Sequence, residues 1–508
     1  MQVVYSDTPL FTLLTSLMAA LLIAITGERN RNLREFWTIS ASVTKFALVL
    51  SMLPVVIDGK VIEQEVYRVT STLSIAFKVD ALGMLFALTA SFLWILTSFY
   101  GIGYMRGNNE KSQTRFFACF AIALSATMGV AFSANMFTTF IFYEILSLST
   151  FPLVAHKGTK EALSGAKKYI TYLLATSVAF QLTAIIMTYN YTGTLDFSYR
   201  GVFEGSKASE GMLIAIFILY IAGIAKAGMM PFHAWLPAAM VAPTPVSALL
   251  HAVAVVKTGV FLVVKVVLHI FGIDLLERLG LGIPLAYFAS FTIIMASVIA
   301  LTQDNLKRRL AYSTVGQLSY IVLGVALLTP SAITGSLMHI TIHAFGKITL
   351  FFVAGAIYVA THKTNVSELD GIGRQMPFTM AAFSLGAISM IGVPPMSGFI
   401  SKWYLSLGAI ESHQLPIIIV LALSTILNGC YFLPIIYAAF FKEPKAVHHT
   451  NHATSHSSSH SSRGLEATHL MMVVPLVLTA IGALLVTVFS NEVAELVSMA
   501  VRNVSGGR

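Results

Sequence analysis

The sequence predicts an all-α polytopic membrane protein of about fourteen transmembrane helices, with two inverted five-helix repeats and two broken helices. Three observations carry that expectation. Hydrophobic residues make up 56% of the chain and charged residues only 11%, with mean hydropathy +0.78, which no soluble class fits. Apolar runs of about twenty residues, the length that crosses the hydrocarbon, recur from end to end. Two of those runs are interrupted by proline close to a lysine.

Spans are expected near 9–26, 37–57, 80–104, 115–131, 134–155, 167–189, 211–230, 244–270, 281–302, 309–328, 331–360, 377–410 (broken), 415–441 and 469–490. The first is read as a membrane helix and not a cleaved signal peptide: residues 1–9 carry no Lys or Arg, and no small-residue cleavage site follows. Basic residues gather after the odd-numbered spans, at Arg29, Arg31 and Arg34, at Arg106 and Lys111, in 157–168, at Lys307-Arg308-Arg309 and in 442–463. About eighteen Lys/Arg lie on that side against about eight on the other, which makes it cytoplasmic. Both termini are then expected on the non-cytoplasmic side of the cell (inner or plasma) membrane. This bias and the intramembrane lysines account for the net charge of +9, so no nucleic-acid partner is implied.

The first interruption is Lys226-Ala227-Gly228-Met229-Met230-Pro231, and the second is Gly392-Val393-Pro394-Pro395-Met396-Ser397 with Lys402 beyond it. Proline removes a helix donor and clashes with the preceding turn, so Pro231, Pro394 and Pro395 open their helices. Opened backbone at membrane depth persists only inside protein or against a hydrated cavity. The breaks lie about five spans apart, and an odd number of spans inverts one copy relative to the other, the pattern of inverted-repeat transporters. The expected organisation is N-terminal helices over 1–110, a first half-channel over 111–275 and a second over 276–441. A His/Ser-rich cytoplasmic loop over 442–468 and a last helix with its tail over 469–508 follow. His233 and Trp235 are expected near a membrane edge as anchors.

Ionisable residues inside these helices are the main functional signal, since each costs about 2.5–3.5 kcal/mol to insert unless it finds a partner or water. Glu144 and Lys226 are the expected pair of the first repeat, in which the carboxylate would hold or release the lysine's proton; a static ion pair is the alternative. Lys257 is the next group along, with His251 six residues before it, either water-linked to it or a packing residue. His339, His343 and Lys347 recur every fourth residue on one helical face, where imidazole and amine can relay protons. His343 and Lys347 are expected to join the two half-channels, with water linking Lys257 to His343. Cys119 and Cys430 read as small buried hydrophobes. Neither a disulfide nor a cysteine-held iron–sulfur or haem centre is indicated, and no dinucleotide or Walker fingerprint occurs, so no cofactor is expected. The histidines from His448 to His460 lack fixed ligand spacing, so no metal site is expected and the segment reads as a connector.

The string Trp235-Leu236-Pro237-Ala238-Ala239-Met240-Val241-Ala242-Pro243-Thr244-Pro245-Val246-Ser247-Ala248-Leu249-Leu250-His251 resembles the signature of the antiporter-like subunits of respiratory complex I, Mrp-type cation/proton antiporters and membrane-bound hydrogenases. So do Asp304 to Val315, His343 to Lys347, and Pro394-Pro395-Met396-Ser397-Gly398-Phe399. The resemblance covers roughly 75–440. It implies that Glu144 and Lys226 are the paired groups of the fifth and broken seventh helices and Lys257 the connecting lysine of the eighth. His343 and Lys347 would form the central relay of the eleventh, and Lys402 the exit lysine of the broken twelfth. Ala238-Ala239-Met240, where complex I subunits usually carry Asp-Ala-His, looks closer to the D-type component of Mrp antiporters. The function expected is proton translocation within a multi-subunit Na⁺(K⁺)/H⁺ antiporter, with protons, monovalent cations, lipid and other membrane subunits as partners. The alternative is the pump of a complex I-like NADH:quinone oxidoreductase or membrane-bound hydrogenase, with no redox centre in this chain. An inorganic-carbon uptake partner or a structural scaffold is a further reading, the scaffold disfavoured by the buried titratable row.

Overall fold

A computed structural model of the chain describes residues 2–443 and 469–505. The His-rich segment and most of the expected 442–468 loop lie outside the described residues. The helices are α1 (Thr8–Thr26), α2 (Arg31–Ile57), α3 (Ala81–Gly107), α4 (Gln113–Phe132), α5 (Met136–Val154) and α6 (Lys160–Thr192). They continue with α7 (Glu210–Gly223), α8 (Thr244–Phe271), α9 (Gly282–Thr302), α10 (Leu306–Ala326) and α11 (Pro330–Thr361). The helix α12 comes in two pieces, Pro377–Ile391 and Ser397–Glu411, before α13 (Leu415–Phe441), α14 (Leu470–Val488) and α15 (Ser490–Ser505). Among the described residues, 11 helices are long and apolar enough to cross a membrane. The other expected spans are α7 and α12, shortened by their breaks, and α10, whose first turn carries Lys307, Arg308 and Arg309. This is a multi-pass membrane protein.

Helix starts follow capping chemistry. Asn30, Asp80, Asn135, Thr159, Ser209, Asn305 and Thr329 each accept a backbone N–H from the first turn, satisfying a donor that the membrane would leave unpaired. Three π-helical turns interrupt the α-geometry, Ser177–Gln181 in α6 and Leu249–Val253 and Val266–Phe271 in α8. Such turns concentrate at functional positions.

The helical fold is as expected, with one small addition. Val3–Tyr5 (β1), Val61–Thr70 (β2) and Leu73–Val79 (β3) form a sheet in the order β1-β2-β3. The strand β1 runs parallel to β2 (Val3 opposite Val61), and β2 antiparallel to β3 (Ile62 opposite Val79). Residues 58–79 lack a span-length apolar run and so carry no membrane-helix signal. Their signal is instead the β-branched and aromatic residues set among charges from Val61 to Thr70. A further element outside the expected spans, α15, is amphipathic and packs on α3 and α11.

The helix α8 lies at the centre and is buried along its whole length, as is nearly all of α11. Residues 111–275 contain α4–α8 and residues 276–441 contain α9–α13, with the fourth helix interrupted in each set.

Candidate functional site

The first interruption positions Lys226. The helix α7 ends at Gly223, so Lys226 sits in the break itself, in a single 3₁₀ turn (Ala225–Ala227) that Gly228 closes at φ +72°. The break packs straight onto α8 at Gly259, where any Cβ would strike the backbone of Lys226 and Ala227. Trp235 is fully buried and donates its indole N–H to Ala225 O at 2.9 Å. Trp235 is therefore no interfacial anchor: it pins the opened segment. His233 is half-buried.

Lys226 Nζ donates to Tyr143 O at 2.8 Å and to Ser147 Oγ at 2.7 Å, and lies 3.0 Å from the centroid of the Tyr143 ring. All of these partners belong to α5. Glu144, on the same helix, does not reach it. Its two carboxylate oxygens are enclosed and have no hydrogen-bond partner among the described residues. The expected Glu144–Lys226 ion pair is thus not formed, because a carbonyl, a hydroxyl and a ring face already occupy the ammonium.

The next contact crosses from α8 to α11. Lys257 Nζ and His343 Nδ1 share a hydrogen bond of 2.8 Å, and both are buried. The water expected between them has no gap to fill. His343 Nε2 has no partner among the described residues, and its ring centroid is 6.0 Å from that of His339. His339 bonds Ser401 Oγ through Nδ1 at 2.8 Å and Gln317 Oε1 through Nε2 at 3.0 Å, tying α11 to α12 and α10. Lys347, one turn beyond His343, donates to Leu310 O at 3.3 Å. His251 packs tilted against Phe351, ring centroids 5.0 Å apart, with both ring nitrogens unpartnered among the described residues.

The second interruption is handled differently. Lys402 lies on the second piece of α12 and reaches back to donate to Ile391 O, at the end of the first piece, at 2.7 Å. It also donates to Thr425 Oγ1 of α13 at 2.8 Å. Gly392 turns the chain there at φ +78°. Met230-Pro231 and Pro394-Pro395 are cis peptide bonds.

The structure thus brings Lys257, His343, His339 and Lys347 together around α11, and holds Lys226 and Lys402 at the breaks. Glu144 and His251 stand without hydrogen-bond partners for their side chains among the described residues. Several buried ionisable groups were missed. Lys45 of α2 donates to Leu124 O at 3.1 Å beneath Trp94, and was findable as a lysine in an apolar run, like Lys226. The pair Asp80–Lys265 closes at 2.9 Å, with His269 one turn past Lys265; Asp80 is far away in sequence and has no local sign. Glu35, in the first turns of α2, is a further buried acid, paired with Arg106. Cys119 is half-buried and Cys430 exposed, so Cys430 is not the buried hydrophobe expected.

Residues 133–428 match the family model described as "NADH:quinone oxidoreductase/Mrp antiporter, TM", more than half of the chain. The chain belongs to this family. Residues 68–117 match a second model, that of the complex I chain 5 N-terminus. Among members of the NADH:quinone oxidoreductase/Mrp antiporter family, a NADH-quinone oxidoreductase subunit N from Desulforudis audaxviator is 31% identical over 79% of this chain and 81% of its own length. A putative antiporter subunit, mnhA2, from Staphylococcus haemolyticus is 31% identical over 84% of this chain. The chain spans 56% of that relative's length, and between 49% and 63% of the other longer curated relatives. A chain in the Mrp complex of a Dietzia species superposes with TM-score 0.84 at 22% identity, covering 98% of this chain and 97% of its own. That likeness fixes the fold.

Proposed function

We propose that this chain is the proton-translocating subunit of a multi-subunit Na⁺(K⁺)/H⁺ antiporter of Mrp type, working beside other membrane subunits in the cell membrane. The carrying observation is the Lys257–His343 hydrogen bond, which links α8 of the 111–275 unit to α11 of the 276–441 unit in the middle of a buried row. We read those two units as inverted half-channels, with both termini on the non-cytoplasmic side. Lys226, held by Tyr143 and Ser147, loads the row in one half, and Glu144 is the mobile charge that sets its protonation. His343, His339 and Lys347 pass the proton across, and Lys402 releases it at the second break. A lysine amine can take and give a proton in such a place, whereas a guanidinium stays charged. Each proton carried across is worth about 2.3 kcal/mol per 100 mV, enough for a gradient to drive cation exchange.

Ala238-Ala239-Met240 favours the Mrp branch. The relation to the Desulforudis oxidoreductase protein, over 81% of that protein's length, favours the redox-driven alternative, in which the same row pumps while partner subunits hold the redox centres. Lys226→Ala or Glu144→Ala in the intact complex should abolish cation-dependent proton flux in everted vesicles while assembly on native gels is kept. Normal flux in both variants would remove the proton-carrying role. Flux that follows NADH or hydrogen oxidation and ignores imposed Na⁺ or K⁺ gradients would assign the redox branch.

A further inference from the structure

A second row of ionisable groups runs along α8 from Lys257 to His269. Lys257, Phe261, Lys265 and His269 repeat every four residues, which places them along one side of the helix. The distance from His251 to His269 is eighteen residues, about 27 Å of rise, close to the thickness of the hydrocarbon. Both histidines sit in the π-helical turns of this helix.

The two ends of the row differ. Near the start of α8, a cavity of about 370 Å³ is lined by Thr244, Lys157, Lys307, Lys363 and Tyr358. Near its end, Lys265 Nζ donates to Asp80 Oδ2 at 2.9 Å, and both groups are buried. Asp80 Oδ1 separately accepts Gly83 N–H, capping α3. His269 follows, buried, with Nδ1 unpartnered among the described residues and its ring 5.5 Å from Tyr199. Beyond it Lys78 lies 5.6 Å from the Tyr199 ring and pairs with Glu63 at 3.1 Å, both half-exposed on the sheet. The step between Lys257 and Lys265 is occupied by Phe261, packed on Phe86 at 5.1 Å, with Lys265 Nζ 5.6 Å from its ring.

We propose that Asp80, Lys265 and His269 form a separate proton mouth on the face that carries the β-sheet, joined to Lys257 through an apolar gate made by Phe261. This rests on the proton-carrying role given above to Lys257. The Lys265 ammonium first gives its proton to His269 Nδ1, and His269 releases it to water beside Glu63. When water passes the Phe261 ring, the Lys257 ammonium reprotonates the Lys265 amine, and the Asp80 carboxylate stabilises the restored cation. With the ring in place, Lys257 exchanges protons with His343 alone. A purely structural ion pair accounts for Asp80 and Lys265 but for neither the open nitrogen of His269 nor the aromatic plug.

The test uses the intact complex in native vesicles. Lys265→Arg keeps the ion pair but cannot release its proton, and His269→Gln keeps polarity but cannot titrate. Each should lower proton flux about tenfold or more with assembly unchanged. Phe261→Ala should raise the proton leak measured without cation gradient about threefold or more. Adding Lys265→Arg to that chain should remove the leak. If Lys265→Arg fails to assemble, His269→Gln and the Phe261→Ala leak decide. Wild-type flux in both Lys265→Arg and His269→Gln, with no leak in Phe261→Ala, overturns the mouth. Lys347→Arg separates the two readings. If it blocks flux while those variants are silent, the mouth alone fails. If it is silent with them, the proton-carrying row fails too.

Discussion

Replacing Gly259 by Ala puts a methyl group where α8 meets the opened segment after α7, with no change of charge. A Cβ there collides with the backbone of Lys226 and Ala227, and backbone cannot turn aside as a flexible side chain can. Overpacking of this kind costs about 1–3 kcal/mol. If the segment yields by lifting off α8, the population with Lys226 Nζ on Tyr143 O and Ser147 Oγ falls about 5- to 140-fold, at about 1.4 kcal/mol per tenfold. Proton flux in everted vesicles, normalised to assembled complex, should fall accordingly, and the solubilised complex should melt earlier. Gly316→Ala in α10 is the matched control: its Cβ would meet Ile293 O at 3.5 Å, an ordinary contact. Flux there should stay within about twofold of wild type. Unimpaired flux and melting in Gly259→Ala, or equal damage from Gly316→Ala, would refute the idea that α8 positions Lys226 by direct backbone contact.

Two other outcomes are expected. Lys347→Arg should preserve assembly and local charge but impair transport, and Lys347→Ala should impair it at least as much; flux measured in parallel vesicle preparations decides, and an Arg variant at wild-type rate would count against the central relay. Trp235→Phe removes the indole donor from Ala225 O, which keeps the Gly228 N–H at 3.0 Å, and should cost about 0.5–1.5 kcal/mol, read as earlier melting together with reduced flux. A variant with reduced melting temperature but full flux would make Trp235 a packing residue only.

The helices are legible because span length and hydropathy are properties of contiguous sequence. Even α10, with three cations in its first turn, shows in the apolar run behind them. The sheet is not legible, because its strands are half-polar and β1 pairs with a segment nearly sixty residues away. Lys226, Lys257, His343, Lys347 and Lys402 stand out as ionisable groups in apolar or proline-broken segments. What each touches does not. Side-chain reach depends on helix rotation and packing, so charge logic pairs Glu144 with Lys226, while a carbonyl and a hydroxyl on α5 take the ammonium. Residue type alone sends Trp235 to the interface, although the break folds it inward. Asp80 and Lys265 are far apart in the chain, and only the packing of α3 against the end of α8 makes them a pair.

Full enclosure of α8 insulates it. The helices α1, α2, α6, α9 and α13 are half or more exposed along their apolar windows, yet no residue of α8 from Thr244 to Phe271 reaches the outer surface of the chain. A neighbouring protein that docks on that surface meets the surrounding helices and not α8 itself. Any signal it sends to Lys257 must arrive as a displacement of a surrounding helix or as a field felt across one. The surrounding helices, among them α5 with Glu144, are then the parts that such a displacement would have to move.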